Sequence, residues 1–163
     1  MKTKNVSFEN IRITSGFWTQ KQALVRNVAA MNVYNRFDET RRIKAFACDW
    51  GEGMSNRPHF FWDSDVAKWI EAVAYLMEKD PIGMREHEAL CEELIDSMER
   101  AQREDGYLNS EHQQVSPHLI FKNRDRHELY CAGHMLEAAV ALTVTAEDAF
   151  IAEMDAAVLA DLL

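Results

Sequence analysis

Three side chains able to ligate a metal, His127, Cys131 and His134, stand at i, i+4 and i+7, a spacing that a helix turns into one face two turns long. Imidazole and thiolate ligands so placed suit an ion such as zinc. A single ion reaches i and i+4 readily but i+7 poorly, because the ~1.5 Å rise per residue parts the outer pair by about 10 Å. A helix face lining a cavity or core is therefore the stronger reading of the three. The run His127-Glu128-Leu129-Tyr130-Cys131 lacks the second histidine of the HExxH metalloprotease motif. His87 and Cys91 repeat the i, i+4 pairing among Glu86, Glu88, Glu92 and Glu93, which reads as a solvated or half-buried helix edge. Cys48, beside Asp49 and Trp50, is a candidate nucleophile without a histidine nearby in sequence. A small apolar thiol is its default role.

Asp63 and Asp65 flank Ser64, and two carboxylates invite a general acid and base reading for glycoside hydrolysis. In a first helical turn the same residues cap orphan N–H groups and complement the helix dipole, which is the better reading. Phe60, Phe61 and Trp62 precede them as either core or a stacking surface for a sugar ring. Farther on, Gln102 to Asn109 ends a helix in a turn where Gly106 can take positive φ and Tyr107 is projected from the loop. The sequence holds no glycine-rich phosphate loop, Gly-x-Ser-x-Gly elbow or aspartate-rich calcium loop.

The elements that must position these residues are mostly helical. Val6, Phe8, Ile11 and Ile13 nearly alternate, predicting one short strand over 5–14. Ser15 can cap a helix over 17–36 with Phe17, Leu24, Val28, Met31 and Val33 near helical spacing. After an irregular stretch over 37–61, Val66, Trp69, Ile70, Val73 and Met77 mark an amphipathic helix that starts at Asp63 or Ser64 and ends near Asp80-Pro81. A second follows Gly83, carries Leu90, Leu94, Ile95 and Met98 on one face, and stops before Asp105-Gly106. The stretch 106–125 has no strong periodicity and is a candidate functional loop. Helices are predicted again over 126–144, with Leu129, Leu136 and Val140 inward, and over 147–163. The natural architecture is a single all-α domain, 1–163, of antiparallel hairpins plus one short amino-terminal strand.

Composition agrees with this architecture. The 163 residues are 47% hydrophobic and 28% charged with only 6 Gly and 3 Pro, so chain breakers are few. A formal net charge of -9 repels phosphate backbones and anionic lipids, which argues against nucleic acid and membrane partners. The basic clusters Arg41-Arg42-Ile43-Lys44 and Lys122 to Arg126 are short and read as solvated loops. Three cysteines without CxxC spacing fit a reducing compartment, and no secretion signal or long apolar run is evident, so a cytoplasmic location is expected.

Four segments in order resemble glycoside hydrolase family 127, the β-L-arabinofuranosidases: Ile13-Thr14-Ser15-Gly16-Phe17-Trp18, Trp62-Asp63-Ser64-Asp65-Val66-Ala67-Lys68-Trp69, Ala101 to Leu108 (AQREDGYL), and His127 to His134 (HELYCAGH). Gly16 stands where the family often has proline. The resemblance implies that the chain is the amino-terminal portion of an (α/α)6 toroid, with β-sandwich domains and the catalytic remainder absent. It also implies hydrolysis of terminal β-L-arabinofuranosides with retention, by a cysteine thiolate held on zinc with further cysteines and a glutamate, while another glutamate acts as acid and base. No residue of this chain matches those catalytic or metal positions, so no catalytic or metal residue is assigned and zinc is expected only in the full-length enzyme. What carries over is substrate binding: His127 resembles the family histidine that hydrogen-bonds the arabinose, and Phe61 resembles part of the same wall. The expected partner is an arabinofuranoside-type carbohydrate, with a second copy or a complementing carboxyl-terminal fragment as protein partner. The competing expectation is a non-catalytic helical binding or self-assembly module.

Overall fold

The computed structural model describes residues 3–145; the helix predicted over 147–163 lies outside the described residues. Among these the chain forms α1 (Gly16–Leu24), α2 (Ala30–Glu39), α3 (Trp62–Lys79), α4 (Arg85–Ala101), α5 (Ser110–Gln114) and α6 (Glu128–Thr145), with a π-helical turn, Val25–Ala29, joining α1 to α2. No strand occurs among the described residues. The fold is all-α, and the short link after Lys79 folds α4 back beside α3 as a hairpin.

Helix α3 is the centre of the core. Val66, Ile70, Val73 and Met77 recur at helical spacing, and burial of Ala67, Trp69 and Ala74 widens the stripe until most of the helix is enclosed. Its most extensive partner is α6, and α4 and α2 also pack on it. Each fully buried side chain of the size of Val66 or Val73 contributes roughly 1.5–3 kcal/mol. The Trp69 indole N–H donates to the Ala30 carbonyl at 2.8 Å, fixing α2 against α3. The turn to α4 is held by Asp80, which accepts the Gly83 N–H at 3.0 Å and pairs with Arg26 at 3.0 Å. A Cβ on Gly83 would lie 2.5 Å from an Asp80 carboxylate oxygen, so glycine leaves that carboxylate its place.

Several expectations need correction. The segment expected as a strand is extended chain around a 3-10 turn, Phe8–Asn10. It has no ladder partner among the described residues and is held instead by Phe8, whose ring meets Tyr75 edge-on at 5.3 Å and lies under the Lys79 ammonium. In α1, the π-helical turn and α2, Phe17, Leu24, Val28 and Val33 are exposed rather than inward, and Ala30 is the buried position. Helix α6 is rotated from its expected face. Leu129 is 77% exposed and Val140 53%, while Cys131, Met135, Ala138, Ala141 and Leu142 enter the core, because the small side chains permit close approach to α3. His87 and Cys91, expected at a solvated or half-buried edge, are buried. The His87 ring stacks on Trp69 at 6.4 Å with neither nitrogen hydrogen-bonded, and burial lowers its pKa.

Candidate functional site

The segment that read as aperiodic, 106–125, is a compact polar knot. The turn before it closes as expected: Gly106 has φ 80, its N–H donates to the Arg103 carbonyl at 2.9 Å, and Gln102 donates to the Gly106 carbonyl at 2.9 Å. Left-handed backbone of this kind favours glycine. Asn109 then caps α5 by accepting the His112 N–H at 2.9 Å, while its own N–H donates to Gln113 at 2.7 Å. This reciprocal bonding satisfies donors that a helix end otherwise leaves orphaned. Ser110, Glu111 and His112 are all buried, unusual for so polar a run; the Ser110 and Glu111 side chains are hydrogen-bonded and His112 Nδ1 lies 2.9 Å from the Asn109 side-chain carbonyl oxygen, while His112 Nε2 has no hydrogen-bond partner among the described residues.

Asp63 shows what that burial is for. The sequence favoured it as a cap of α3, but the N-cap residue is Phe61, without a side-chain cap bond. The Asp63 carboxylate instead accepts the Ser110 backbone N–H at 2.6 Å and the Ser110 hydroxyl, tying α5 to the start of α3. Burial raises its pKa to about 6, although both Ser110 donors favour the ionised form. Asp65 diverges from it to pair with Arg42 at 3.1 Å. The two carboxylates thus serve separate structural contacts and do not form an acid and base pair.

The knot continues to the start of α6. Arg126 donates to Glu111 and, at 3.2 Å, to Ser116, while its guanidinium lies 5.3 Å from the Phe60 ring centroid. Glu128 accepts the Tyr107 hydroxyl and the Phe121 N–H, at 3.0 Å to one carboxylate oxygen. Burial, then the hydrogen bond to Glu128, raises the Tyr107 pKa. Arg126 and Glu128 are the neighbours of His127, so the polar knot grips the chain on both sides of that one imidazole. Sequence reasoning did not single out Glu111 or His112, met Glu128 only as part of the His127 to His134 segment, and read Arg126 as part of a solvated basic loop, whereas it pairs with buried Glu111. The asparagine followed four residues on by glutamine, Asn109 and Gln113, was the available signal.

His127 itself has φ 60, left-handed for a residue with a side chain, a conformation that costs of order 1–3 kcal/mol. Its Nδ1 lies 2.7 Å from the Asp125 carbonyl. A carbonyl only accepts, so Nδ1 carries the proton and Nε2 of the neutral ring is left with its lone pair. The ring meets Phe61 edge-on at 4.6 Å, lies 5.4 Å from Phe60 and meets Tyr130 edge-on at 5.6 Å. His127, Phe121, Lys122, Glu128 and Tyr130 help line a groove of about 370 Å³. A neighbouring groove of about 390 Å³ shares Phe121, Glu128 and Leu129 and includes Tyr107. Phe60, Phe61, His127 and Tyr130 form one aromatic cluster, of which His127 and Tyr130 line the first groove and Phe60 and Phe61 pack behind His127.

The structure brings His127 and Phe61 together and keeps His127, Cys131 and His134 apart. Cys131 is turned into the protein, its thiol donating to the Phe60 carbonyl at 3.2 Å. His134 sits with Glu71 and Glu137. Nor do the cysteines fit the thiolate-zinc chemistry implied by the resemblance. Cys48 is exposed at the end of a 3-10 turn, while Cys91 and Cys131 are buried. Burial pushes Cys91 up to about 12 and Cys131 up to about 11, and desolvation followed by Asp63 and Asp49 raises Cys48. No cysteine belongs to a metal-ligating cluster among the described residues.

These features define an all-α hairpin protein with an aromatic, histidine-bearing groove beside the amino-terminal end of α6. A family model for the GH127 catalytic domain of β-L-arabinofuranosidases matches residues 10–157, and the chain belongs to that family. The non-reducing end β-L-arabinofuranosidase of Bifidobacterium longum subsp. longum is 42% identical over 88 residues, covering 50% of this chain and 13% of that protein. The crystal structure of a GH127 β-L-arabinofuranosidase from Geobacillus stearothermophilus T6 superposes with a TM-score of 0.78 and 33% identity over 93% of this chain and 25% of that one. A second solved GH127 β-arabinofuranosidase gives 0.77 and 25% identity over 91% of this chain and 25% of that one. The chain spans about a quarter or less of the length of these relatives.

Proposed function

We propose that this chain supplies one wall of the sugar site of a retaining β-L-arabinofuranosidase and binds a terminal β-L-arabinofuranoside, but does not hydrolyse it alone. The observation that carries this reading is His127. Its backbone is held in a costly conformation by anchored neighbours, its Nδ1 proton is already committed to Asp125, and its Nε2 lone pair is available beside Phe61. A furanose offers hydroxyls that donate to such a nitrogen and C–H faces that pack on an aromatic ring. The GH127 relatives named as β-L-arabinofuranosidases support the choice of sugar. On this reading the zinc, its thiolate nucleophile and the acid and base glutamate come from sequence outside this chain, and the helices here form part of an (α/α)6 toroid.

The test is titration calorimetry of the chain with methyl β-L-arabinofuranoside, compared with His127→Asn. Asparagine tolerates left-handed backbone, so folding is expected to survive within about 1 kcal/mol, while loss of the imidazole contact weakens binding roughly tenfold or more. Equal affinity in the two proteins would remove His127 from the site.

A further inference from the structure

A second constellation lies between the two helices that pack most extensively, next to Tyr130, which also lines the His127 groove. Glu71 on α3 and His134 and Glu137 on α6 each offer one ligand atom, and these atoms lie within 4.8 Å of one another. The His134 Nδ1 is 2.9 Å from the Glu137 carboxylate. Yet the nitrogen is closed off from solvent and makes no aligned hydrogen bond there. The Tyr130 ring meets His134 edge-on at 4.6 Å and sets its plane. Among the described residues neither Glu71 nor Glu137 forms an ion pair with a lysine or arginine. Burial, then the negative charge of Glu71 with a smaller contribution from Glu137, raises the Tyr75 pKa. Two carboxylates, neither paired with a lysine or arginine among the described residues, thus face one imidazole nitrogen that lacks an aligned hydrogen bond.

We propose that Glu71, His134 and Glu137 form a divalent metal site, best suited to zinc, that clamps α3 to α6. One imidazole nitrogen and two carboxylate oxygens are ligands zinc takes at about 2.0–2.2 Å, with water completing a tetrahedron. His134 and Glu137 are one turn apart on the same face of α6, so they form a chelating pair, and Glu71 closes the set from across the interface. The Glu137 side chain is 62% exposed, which leaves its carboxylate room to turn toward an ion. The site contains no thiol and is independent of the arabinofuranoside reading.

The experiment is calorimetric titration of chelator-treated chain with zinc chloride, repeated with Glu137→Gln, His134→Ala and Cys48→Ser. One zinc per chain is expected, with affinity falling at least tenfold in both cluster variants and unchanged in Cys48→Ser; zinc should also raise the melting temperature of the unsubstituted chain. Glu137 is at the surface, so that variant folds and keeps the test decisive. No binding at millimolar zinc overturns the proposal, as does binding that Glu137→Gln and His134→Ala leave intact or that follows Cys48. Arabinofuranoside affinity of Glu137→Gln is expected to equal that of the unsubstituted chain.

Discussion

Asp63 and His87 are buried titratable side chains whose environments push stability in opposite directions with pH. Asp63, with its pKa raised to about 6 against roughly 4 in an unfolded chain, holds a proton in the folded state that the unfolded state has lost. Its contribution is therefore full below about pH 4 and is lost as pH rises through about 6. His87 is depressed by burial, so the unfolded chain protonates near ~6.5 while the folded ring stays neutral. That contribution is full above about 6.5 and is lost as pH falls toward the depressed value. Replacing His87 by Met removes a ring with two unsatisfied nitrogens and keeps the volume apolar. His87→Met is expected to stabilise the chain more at pH 5.5 than at pH 7.5, measured by urea unfolding at the two values; equal increments would contradict a neutral, buried His87. Sequence spacing placed His87 with Cys91 but put them on the wrong side of the helix edge. The surrounding glutamates suggested solvent, and only packing against Trp69 on α3 reveals the ring as core.

At the scale of elements, the site depends on how 106–125 is tied to α6. Tyr107 donates its hydroxyl to Glu128, which also accepts the Phe121 N–H, so the turn, the loop and the helix start share one carboxylate. Tyr107→Phe leaves the buried Glu128 short of a donor. It is expected to cost about 1–3 kcal/mol of stability, measured by chemical denaturation, and to weaken sugar binding by loosening His127; a neutral result would mean that the carboxylate is satisfied by water. The turn at Gly106 was legible from its residue types, as were the bounds of α3 and α4 from their apolar periods. The knot itself was not, because its members pair across gaps such as Asp63 to Ser110 and Glu111 to Arg126, and periodicity carries no information about such pairs. The inward face of α6 was misread for a related reason. A helix rich in alanine and glycine has a weak apolar stripe, so its orientation is set by the fit against α3 rather than by its own pattern.

For the whole molecule, the chain is one hydrophobic core around α3 with apolar side chains of α1 and α2 left uncovered among the described residues. Its matches span about a quarter or less of the relatives, and its cysteines are scattered, with raised pKa values. The resemblance of four ordered segments was enough to find the family. The chain alone is expected to give no turnover of nitrophenyl β-L-arabinofuranoside, with or without added zinc; turnover that survives zinc chelation would show a nucleophile within these residues. The central claim is that His127 offers its Nε2 lone pair to an arabinofuranoside. Its most direct test is the imidazole nitrogen NMR spectrum of His127 as methyl β-L-arabinofuranoside is added. The expected result is an Nδ1-protonated ring whose Nε2 resonance shifts saturably while Nδ1 remains bonded to Asp125. An Nε2-protonated ring, or a His127 spectrum unmoved by sugar, would contradict the account.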